Sequence, residues 1–161
     1  MLNTVKNIRR MFNTLKIFTD RETLLDLCVG LFVFSLTQKT YCINNDCGEF
    51  WSGLSLLFTG WMGIFFGGAG FCWLANPLII LSWFLLRKNT GVAILLSGIV
   101  TVCTLTFLSF DSIIADEGGG YKNITGYGLG YWLWMLSSLM TFIGNIIIEI
   151  RAGKVDTQFT E

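Results

Sequence analysis

The chain has 161 residues, of which 53% are hydrophobic and only 14% charged, and it contains no histidine. Soluble domains carry about 25% charged residues, so this composition predicts one small, all-α membrane domain. A formal net charge of zero gives no reason to expect a nucleic-acid partner, and the lack of histidine excludes an imidazole base or a histidine metal ligand.

Residues 1–19 form a separate N-terminal arm in this interpretation. Its apolar residues recur every three or four positions, with Lys and Arg residues between them. The pattern is typical of a basic amphipathic helix on an anionic membrane surface, and a simple orientation signal explains the charge equally well. Thr19 and Glu22 have the spacing of a capping box, which predicts the start of the first span, over about residues 24–37.

Cys42 and Cys47 lie in the polar loop after the first span, with four residues between them. In an oxidising compartment a disulfide across this loop is feasible, and its role would be structural. A thiol pair in the first outer loop of a four-span protein resembles the inner-membrane enzymes that pass disulfide electrons to quinone. The pair here is C-x4-C rather than C-x-x-C, and the second outer loop, residues 111–130, holds no cysteine. Redox chemistry is therefore only an alternative.

The longest apolar stretch, residues 53–86, contains no charged residue. A straight helix over it would extend ~50 Å, whereas the hydrocarbon core of a bilayer is ~30 Å thick. The stretch therefore needs a break, which we place at the glycines of 67–70. We predict an outer-face helix over about 51–66, at or dipping into the interface, and then a second span over about 71–86. One G-x-x-x-G spacing in the helix permits close packing, and a plain glycine-rich bend fits equally well.

The distribution of Lys and Arg predicts the topology. Four spans over about 24–37, 71–86, 92–110 and 131–148 put nine of the eleven Lys and Arg residues on the inner side and leave only Lys39 and Lys122 outside. A five-span alternative, in which 53–66 also crosses, divides them six to five. We therefore expect a four-helix bundle over residues 20–150, with the N-terminus and the tail, 151–161, both in the cytoplasm.

A polar interruption of the second span, W-L-A-N-P, supplies three candidate interaction or ligand residues: Trp73, Asn76 and Pro77. Proline removes a backbone donor, and the asparagine amide can bond the freed carbonyl or a neighbouring helix. Helix packing is the default interpretation and ligand contact the alternative. Asn145 in the fourth span allows the same two interpretations.

The second outer loop is rich in acidic, glycine and aromatic residues. Its candidate interaction or ligand residues are Asp116, Glu117, Gly126, Tyr127, Gly128, Gly130, Tyr131 and Trp132. The aromatic residues predict an interfacial belt at the start of the fourth span. The glycine pattern is not a nucleotide fingerprint without a βαβ unit, and the acidic spacing matches no calcium loop, so we expect neither a cofactor nor a metal.

The W-L-A-N-P block, together with D-E-G-G and G-Y-G-L-G-Y-W-L-W before the fourth span, resembles a group of small, uncharacterised bacterial inner-membrane proteins. The resemblance covers roughly residues 50–140. It implies a multi-pass protein of the bacterial inner membrane, and it implies no activity.

The sequence favours a non-enzymatic function. No catalytic constellation and no charged pathway through the membrane are evident. We therefore expect an interaction or accessory protein whose partners are the lipid bilayer and another membrane protein. Two alternatives are an immunity-type protein against a membrane-active toxin, and a thiol redox or lipid- or quinone-binding protein.

Overall fold

The computed structural model of the chain describes residues 21–48, 51–114 and 120–158. The predicted amphipathic arm over 1–19 lies outside these residues, as do Asp116 and Glu117. The described chain is mostly helical. Its α-helices are α1 (Arg21–Leu36), α2 (Gly53–Thr59), α3 (Ala75–Leu85), α4 (Thr90–Thr106) and α5 (Leu129–Gln158). Two 3-10 segments, Gly60–Phe66 and Gly68–Leu74, connect α2 to α3, and a third, Phe107–Ser109, extends α4.

Within the described ranges, three helical stretches are long and apolar enough to cross a membrane: Gly68–Leu85, Thr90–Ser109 and Leu129–Ala152. They correspond to the second, third and fourth predicted spans. Helix α1 has 16 residues, or ~24 Å, and falls short of the ~30 Å hydrocarbon core. Helix α5 continues to Gln158, beyond the predicted end of its span at 148, because hydropathy marks where the apolar surface ends and not where the helix ends.

The helices bury small polar side chains and expose large apolar ones. Helix α5 packs against α1 and α4, and α4 also packs against α3. The buried polar residues at these contacts include Ser82, Ser97, Thr101, Thr104, Ser137, Ser138 and Thr141. Large side chains such as Phe84, Leu95 and Val102 face outward. This is the reverse of a water-soluble protein and is typical of helices that pack in lipid, where small residues allow close approach and hydroxyl groups bond across helices.

Asn145 is the centre of one such contact. Its side-chain nitrogen, Nδ2, lies 3.3 Å from Ser82 Oγ, 3.2 Å from Ser97 Oγ and 3.3 Å from the Ala93 carbonyl oxygen. The residue is fully buried. It therefore joins α5 to both α3 and α4, as the helix-packing interpretation of this residue expects.

We expect Asn145→Ala to lower the free energy of unfolding by about 1–2 kcal/mol, because hydrogen bonds between membrane helices average about 0.6 kcal/mol each and the site would also lose packing. Detergent-induced unfolding of the purified protein measures the change. Ile143→Ala, on the exposed face of the same helix, is the control and should cost less than about 0.5 kcal/mol. Equal losses for the two variants would contradict the bonding role of Asn145.

The two loops at one end of the helices pair as a sheet, so the protein is mostly helical rather than all-α. Strands β1 (Tyr41–Ile43), β2 (Ser112–Ile114) and β3 (Tyr121–Tyr127) form an antiparallel sheet in the order β1-β3-β2. Tyr41 pairs with Tyr127, and Ser112 pairs with Asn123. We call this end of the molecule the sheet end. Strand β3 alternates between exposed and half-buried residues, and this period of two is masked in the sequence by the glycines on either side of it.

Candidate functional site

Residues 53–74 fold back on themselves next to the sheet, and we call them the glycine hairpin. One arm contains α2 and the segment Gly60–Phe66, and the other arm is Gly68–Leu74, which packs against it. Gly67 and Gly68 make the turn with φ of +76° and +58°, in the left-handed region that glycine adopts without strain. A Cβ atom at Gly70 would overlap the carbonyl oxygen of Gly63. The predicted outer-face helix over 51–66 is thus one arm of a closely packed hairpin.

The W-L-A-N-P block forms the base of this hairpin. Trp73 Nε1 donates to the carbonyl oxygens of Leu56 and Leu57, both at 3.1 Å, and so joins the two arms. Pro77 lies in the first turn of α3, where a proline is tolerated. It cannot donate to the carbonyl four residues earlier, that of Trp73, and Asn76 Nδ2 donates to that oxygen at 3.1 Å instead. Asn76 therefore replaces the backbone bond that the proline removes.

Cys42 and Cys47 are joined in a disulfide with 4.4 Å between their Cα atoms. The turn between them carries Asn44 and Asn45 at positive φ, which asparagine tolerates better than most residues. Asn45 N–H donates to Thr125 Oγ1 at 3.0 Å, which attaches the turn to β3. The other three cysteines of the chain, Cys28, Cys72 and Cys103, are free and lie in helical segments.

We expect the double variant Cys42→Ser, Cys47→Ser to lose about 2 kcal/mol of stability, because a disulfide that closes so short a loop removes little entropy from the unfolded chain. Unfolding of the wild type with and without reductant should give the same difference. A double variant as stable as the wild type would contradict this stabilising role of the disulfide.

Gly128 and Gly130 hold the start of α5 against the end of α1. The N–H of Gly128 donates to the Thr40 carbonyl at 2.7 Å, and that of Gly130 donates to the Lys39 carbonyl at 2.8 Å. A Cβ atom at Gly128 would overlap the Lys39 carbonyl oxygen, whereas a Cβ at Gly126 would meet nothing within 4 Å. The first two positions of the G-x-G-x-G pattern therefore differ: Gly128 is required by close backbone contact and Gly126 is not.

Aromatic rings fill the space behind these glycines. The ring centroids of Tyr127 and Tyr131 are 4.7 Å apart, and Phe107 lies 5.7 Å from Tyr131. The hydroxyl of Tyr131 donates to the Thr104 carbonyl at 2.7 Å. Burial raises the pKa of the Tyr41 hydroxyl. Burial also raises the pKa of the Tyr127 hydroxyl, and the nearby Asp111 carboxylate adds a smaller increase. Both phenols therefore stay neutral at physiological pH.

A large cavity, of about 870 Å³, lies between the glycine hairpin, the sheet and the ends of α4 and α5. We call it the sheet-end cavity. Its lining includes Tyr41, Leu56, Gly63, Ala69, Cys72, Trp73, Asn76, Phe107, Ile113, Tyr131 and Trp134. Three further lining residues, Met62, Phe66 and Tyr121, are exposed and mark its mouth. The volume is within the range of pockets that bury a small ligand, ~300–1,000 Å³.

The chemistry of the lining is apolar and uncharged. No Asp, Glu, Lys or Arg is among the described residues that form it. Several of its polar side chains, among them Thr40, Trp73 and Tyr131, bond to backbone carbonyl oxygens. Among the described residues, Trp134 Nε1 is the one buried side-chain nitrogen or oxygen atom without a hydrogen-bond partner. A buried donor without a partner costs about 1–3 kcal/mol. The described lining therefore suits an apolar molecule.

The residues predicted from the sequence fall into distinct places. Trp73, Asn76 and Tyr131 line the cavity, and Gly67 to Gly70 lie on its hairpin wall. Tyr127 and Trp132 belong to the aromatic cluster, Gly128 and Gly130 fix α5 to α1, and Pro77, Gly126 and the disulfide lie outside the lining. Within the described ranges, no group of three His, Cys, Asp or Glu residues could hold a metal ion.

Trp134 was not among the predicted site residues, although it belongs to the predicted aromatic belt. Nothing in the sequence distinguishes its indole from those of Trp132 and Trp73, because only the folded structure shows which N–H lacks a partner. The glycines at 67–70 are the available signal for the hairpin, because the long apolar stretch needs a break and glycine adopts the positive φ of the turn without strain.

Comparisons with protein-family models, curated proteins and solved structures find no match for this chain.

Proposed function

We propose that this chain is a four-span protein of a bacterial inner membrane, with the sheet end outside and both termini in the cytoplasm. Charge supports this orientation. Arg21, Arg87 and Arg151 lie at the end of the helices away from the sheet, while Lys39 and Lys122 lie at the sheet end. Arg87 and Glu22 form an ion pair that holds the start of α1 beside the end of α3. Positive charge concentrates on the cytoplasmic side of membrane proteins.

Helix α1 is the first span in this proposal, in addition to the three long apolar helices. It packs along α5 and buries Leu24, Cys28 and Phe32. Its outward face exposes Val33 and Phe34, which lipid would cover. The helix is shorter than the hydrocarbon core, and the apolar glycine hairpin beside its end at Leu36 continues the lipid-facing surface toward the sheet. A short span is accommodated by local thinning of the bilayer or by such neighbours.

The function that the site supports best is non-enzymatic binding of an apolar, lipid-like molecule in the sheet-end cavity. The cavity is the observation that carries this proposal: it is large, and the described residues that line it are uncharged and mostly apolar or aromatic. Its mouth carries Met62 and Phe66, two exposed apolar residues of the hairpin, so a molecule could enter from the outer leaflet. Among the alternatives that the sequence suggests, lipid or quinone binding is therefore the one that this cavity supports.

Native mass spectrometry of the protein gently extracted from its own membrane tests the proposal. We expect an apolar adduct on the wild type. Leu56→Trp should remove the adduct, because Leu56 lines the cavity and a larger ring would fill it. Leu57→Trp is the matched control, since the neighbouring Leu57 is not part of the lining and its variant should keep the adduct. An adduct retained equally by both variants, or the absence of any adduct, would count against the proposal.

Interaction with another membrane protein is the second candidate function, and one observation favours it. A shallow apolar groove of about 460 Å³ runs between α4 and α5. It is lined by Ile94, Leu95, Gly98, Ile99, Val102, Cys103 and Phe142. The exposed apolar side chains of Leu95, Ile99 and Val102 would face a helix of the partner. The same mass spectra would reveal a stoichiometric companion protein, and toxin challenge of cells with and without the gene would test the immunity-type form of this role.

A further inference from the structure

We propose that the hydroxyl of Tyr41 binds the polar end of the molecule in the sheet-end cavity, and that this end is an uncharged oxygen, an alcohol or an ester, on a hydrocarbon chain. The inference rests on the proposed function, because it assumes that the cavity holds an apolar molecule. It deepens that function by naming one binding residue, the chemical class of the ligand and the direction in which the ligand lies.

The hydroxyl groups of the lining differ in whether the protein already uses them. Those of Ser35, Thr40, Thr59 and Tyr131 donate to backbone carbonyl oxygens. The hydroxyl of Tyr121 lies at the mouth, on an exposed residue that water reaches. The hydroxyls of Tyr41 and Ser112 form no hydrogen bond with any of the described residues. Two hydroxyls on the sheet wall of the cavity are therefore open to a ligand.

The Tyr41 oxygen is open to the cavity although the residue itself is buried. Only 9% of the Tyr41 surface is exposed. Within the part of the chain that the structure describes, Trp134 Nε1 is the one side-chain nitrogen or oxygen atom sealed without a partner, so the Tyr41 oxygen is not sealed. Tyr41 lines the sheet-end cavity, and its oxygen therefore contacts that open space. Ser112 is half-buried and more easily hydrated, so Tyr41 is the hydroxyl that most needs a ligand partner.

Two aromatic rings of the lining hold the Tyr41 phenol in place. The ring centroids of Trp51 and Phe107 each lie 5.6 Å from that of Tyr41, and the backbone of Tyr41 pairs with Tyr127 in the sheet. A side chain that is already fixed loses little freedom when a ligand binds. Burial raises the pKa of the Tyr41 hydroxyl, which is therefore a neutral phenol that both donates and accepts.

The uncharged lining limits which polar group can meet this phenol. A phosphate or a carboxylate would need a cationic partner, because an unpaired charge is very costly to bury. None of the described lining residues is Lys or Arg. A pure hydrocarbon would cover the Tyr41 hydroxyl and leave it without a partner, which is also unfavourable. An uncharged oxygen on a hydrocarbon chain avoids both costs.

Burial also gives the direction of the ligand. Tyr41 lies deep in the cavity, whereas Met62 and Phe66 are exposed apolar residues at its mouth. A molecule whose oxygen meets Tyr41 therefore extends its hydrocarbon chain toward the mouth and into the lipid of the outer leaflet. A lipid alcohol and the acyl ester of a glycerolipid share this chemistry, and separate probes distinguish the two sources.

The test is nuclear magnetic resonance of the full chain, stripped of lipid and held in dodecylphosphocholine, a detergent without a hydroxyl or carbonyl group. The four tyrosines carry ¹³C at the ring carbon that bears the hydroxyl, and Tyr41→Phe identifies the Tyr41 peak by its loss. The terminal methyl group of Ile113, which lines the cavity, is identified by Ile113→Val and reports occupancy without regard to hydrogen bonding. The probes are hexadecanol, methyl palmitate and, as the apolar control, hexadecane.

We expect all three probes to shift the Ile113 methyl peak, and at least one oxygen-bearing probe to shift the Tyr41 peak farther than hexadecane does. A larger shift with hexadecanol only indicates an alcohol, one with methyl palmitate only indicates an ester, and one with both means that either oxygen satisfies the phenol. Tyr41→Phe should weaken binding of the oxygen-bearing probe about three- to tenfold and leave hexadecane unchanged, as expected for one hydrogen bond.

Tyr127→Phe is the matched control, because Tyr127 is not part of the lining, and it should leave the affinity of every probe unchanged. If the probes shift Ile113 but Tyr41→Phe leaves their affinities unchanged, the cavity binds apolar molecules and the inference about Tyr41 is wrong. The inference is equally wrong if Ser112→Ala weakens the oxygen-bearing probes and Tyr41→Phe does not. If no probe, including hexadecane, shifts Ile113, the proposed function itself fails.

Discussion

Gly70→Ala is expected to destabilise the protein by about 3 kcal/mol, near the top of the range for overpacked sites. The added Cβ would overlap the carbonyl oxygen of Gly63, which is backbone and cannot rotate away. The two arms of the glycine hairpin would have to separate, and the wall of the sheet-end cavity would move with them. We therefore expect this variant to lose ligand binding as well as stability. Detergent-induced unfolding and the native mass spectrum measure the two effects.

Gly30→Ala is the matched control for this substitution. Gly30 lies within α1 on an exposed position, and a Cβ atom there would meet nothing within 4 Å. Alanine is the better helix former by up to ~1 kcal/mol, so the variant should be as stable as the wild type or slightly more so. If Gly70→Ala behaves like Gly30→Ala, the two arms do not touch at Gly63 and the hairpin described here is wrong.

We expect Gly128→Ala to destabilise the protein strongly and Gly126→Ala to have little effect, although both glycines belong to the G-x-G-x-G motif. At Gly128 the new Cβ would overlap the Lys39 carbonyl oxygen, and the backbone of 128–130 would have to withdraw from the end of α1. That shift would break the bond from Gly128 N–H to the Thr40 carbonyl. We expect a loss of about 2–3 kcal/mol, combining overpacking with one lost hydrogen bond.

At Gly126 the same methyl group enters open space, and its φ is not in the left-handed region, so the change should stay within about 0.5 kcal/mol. The measurement is the detergent concentration at half unfolding for both variants beside the wild type. A ranking with Gly126→Ala as the more damaging change would contradict the close contact of Gly128 with Lys39 and Thr40.

The three long apolar helices could be predicted from the sequence, because apolar length is a direct physical constraint. Arg87 and Lys88 end the long apolar stretch, and α3 ends at Leu85, two residues before Arg87. The need for a break in that stretch followed from the thickness of a bilayer, and the turn lies at Gly67 and Gly68. These features depend on residues near each other in the chain.

The sheet and the cavity could not be predicted in the same way, because they depend on residues far apart in the chain. Strand β3 pairs with β1, about 80 residues earlier, and its glycine-rich flanks favour a loop when read alone. The cavity brings together Leu56, Ile113 and Trp134 from three separate elements. The hydrogen-bond partners of the buried indoles also come from distant residues: Trp73 donates to Leu56, and Trp83 donates to Thr141.

The central claim is that a lipid-like molecule occupies the sheet-end cavity. Photo-crosslinking with a diazirine-labelled fatty acid, incorporated into the lipids of the cells that make the protein, tests it most directly when the labelled residues are mapped by mass spectrometry. We predict saturable labelling at Leu56 and Ile113 inside the cavity, in addition to labelling of outward residues such as Leu95 and Val102. Labelling confined to the outward residues would contradict the claim.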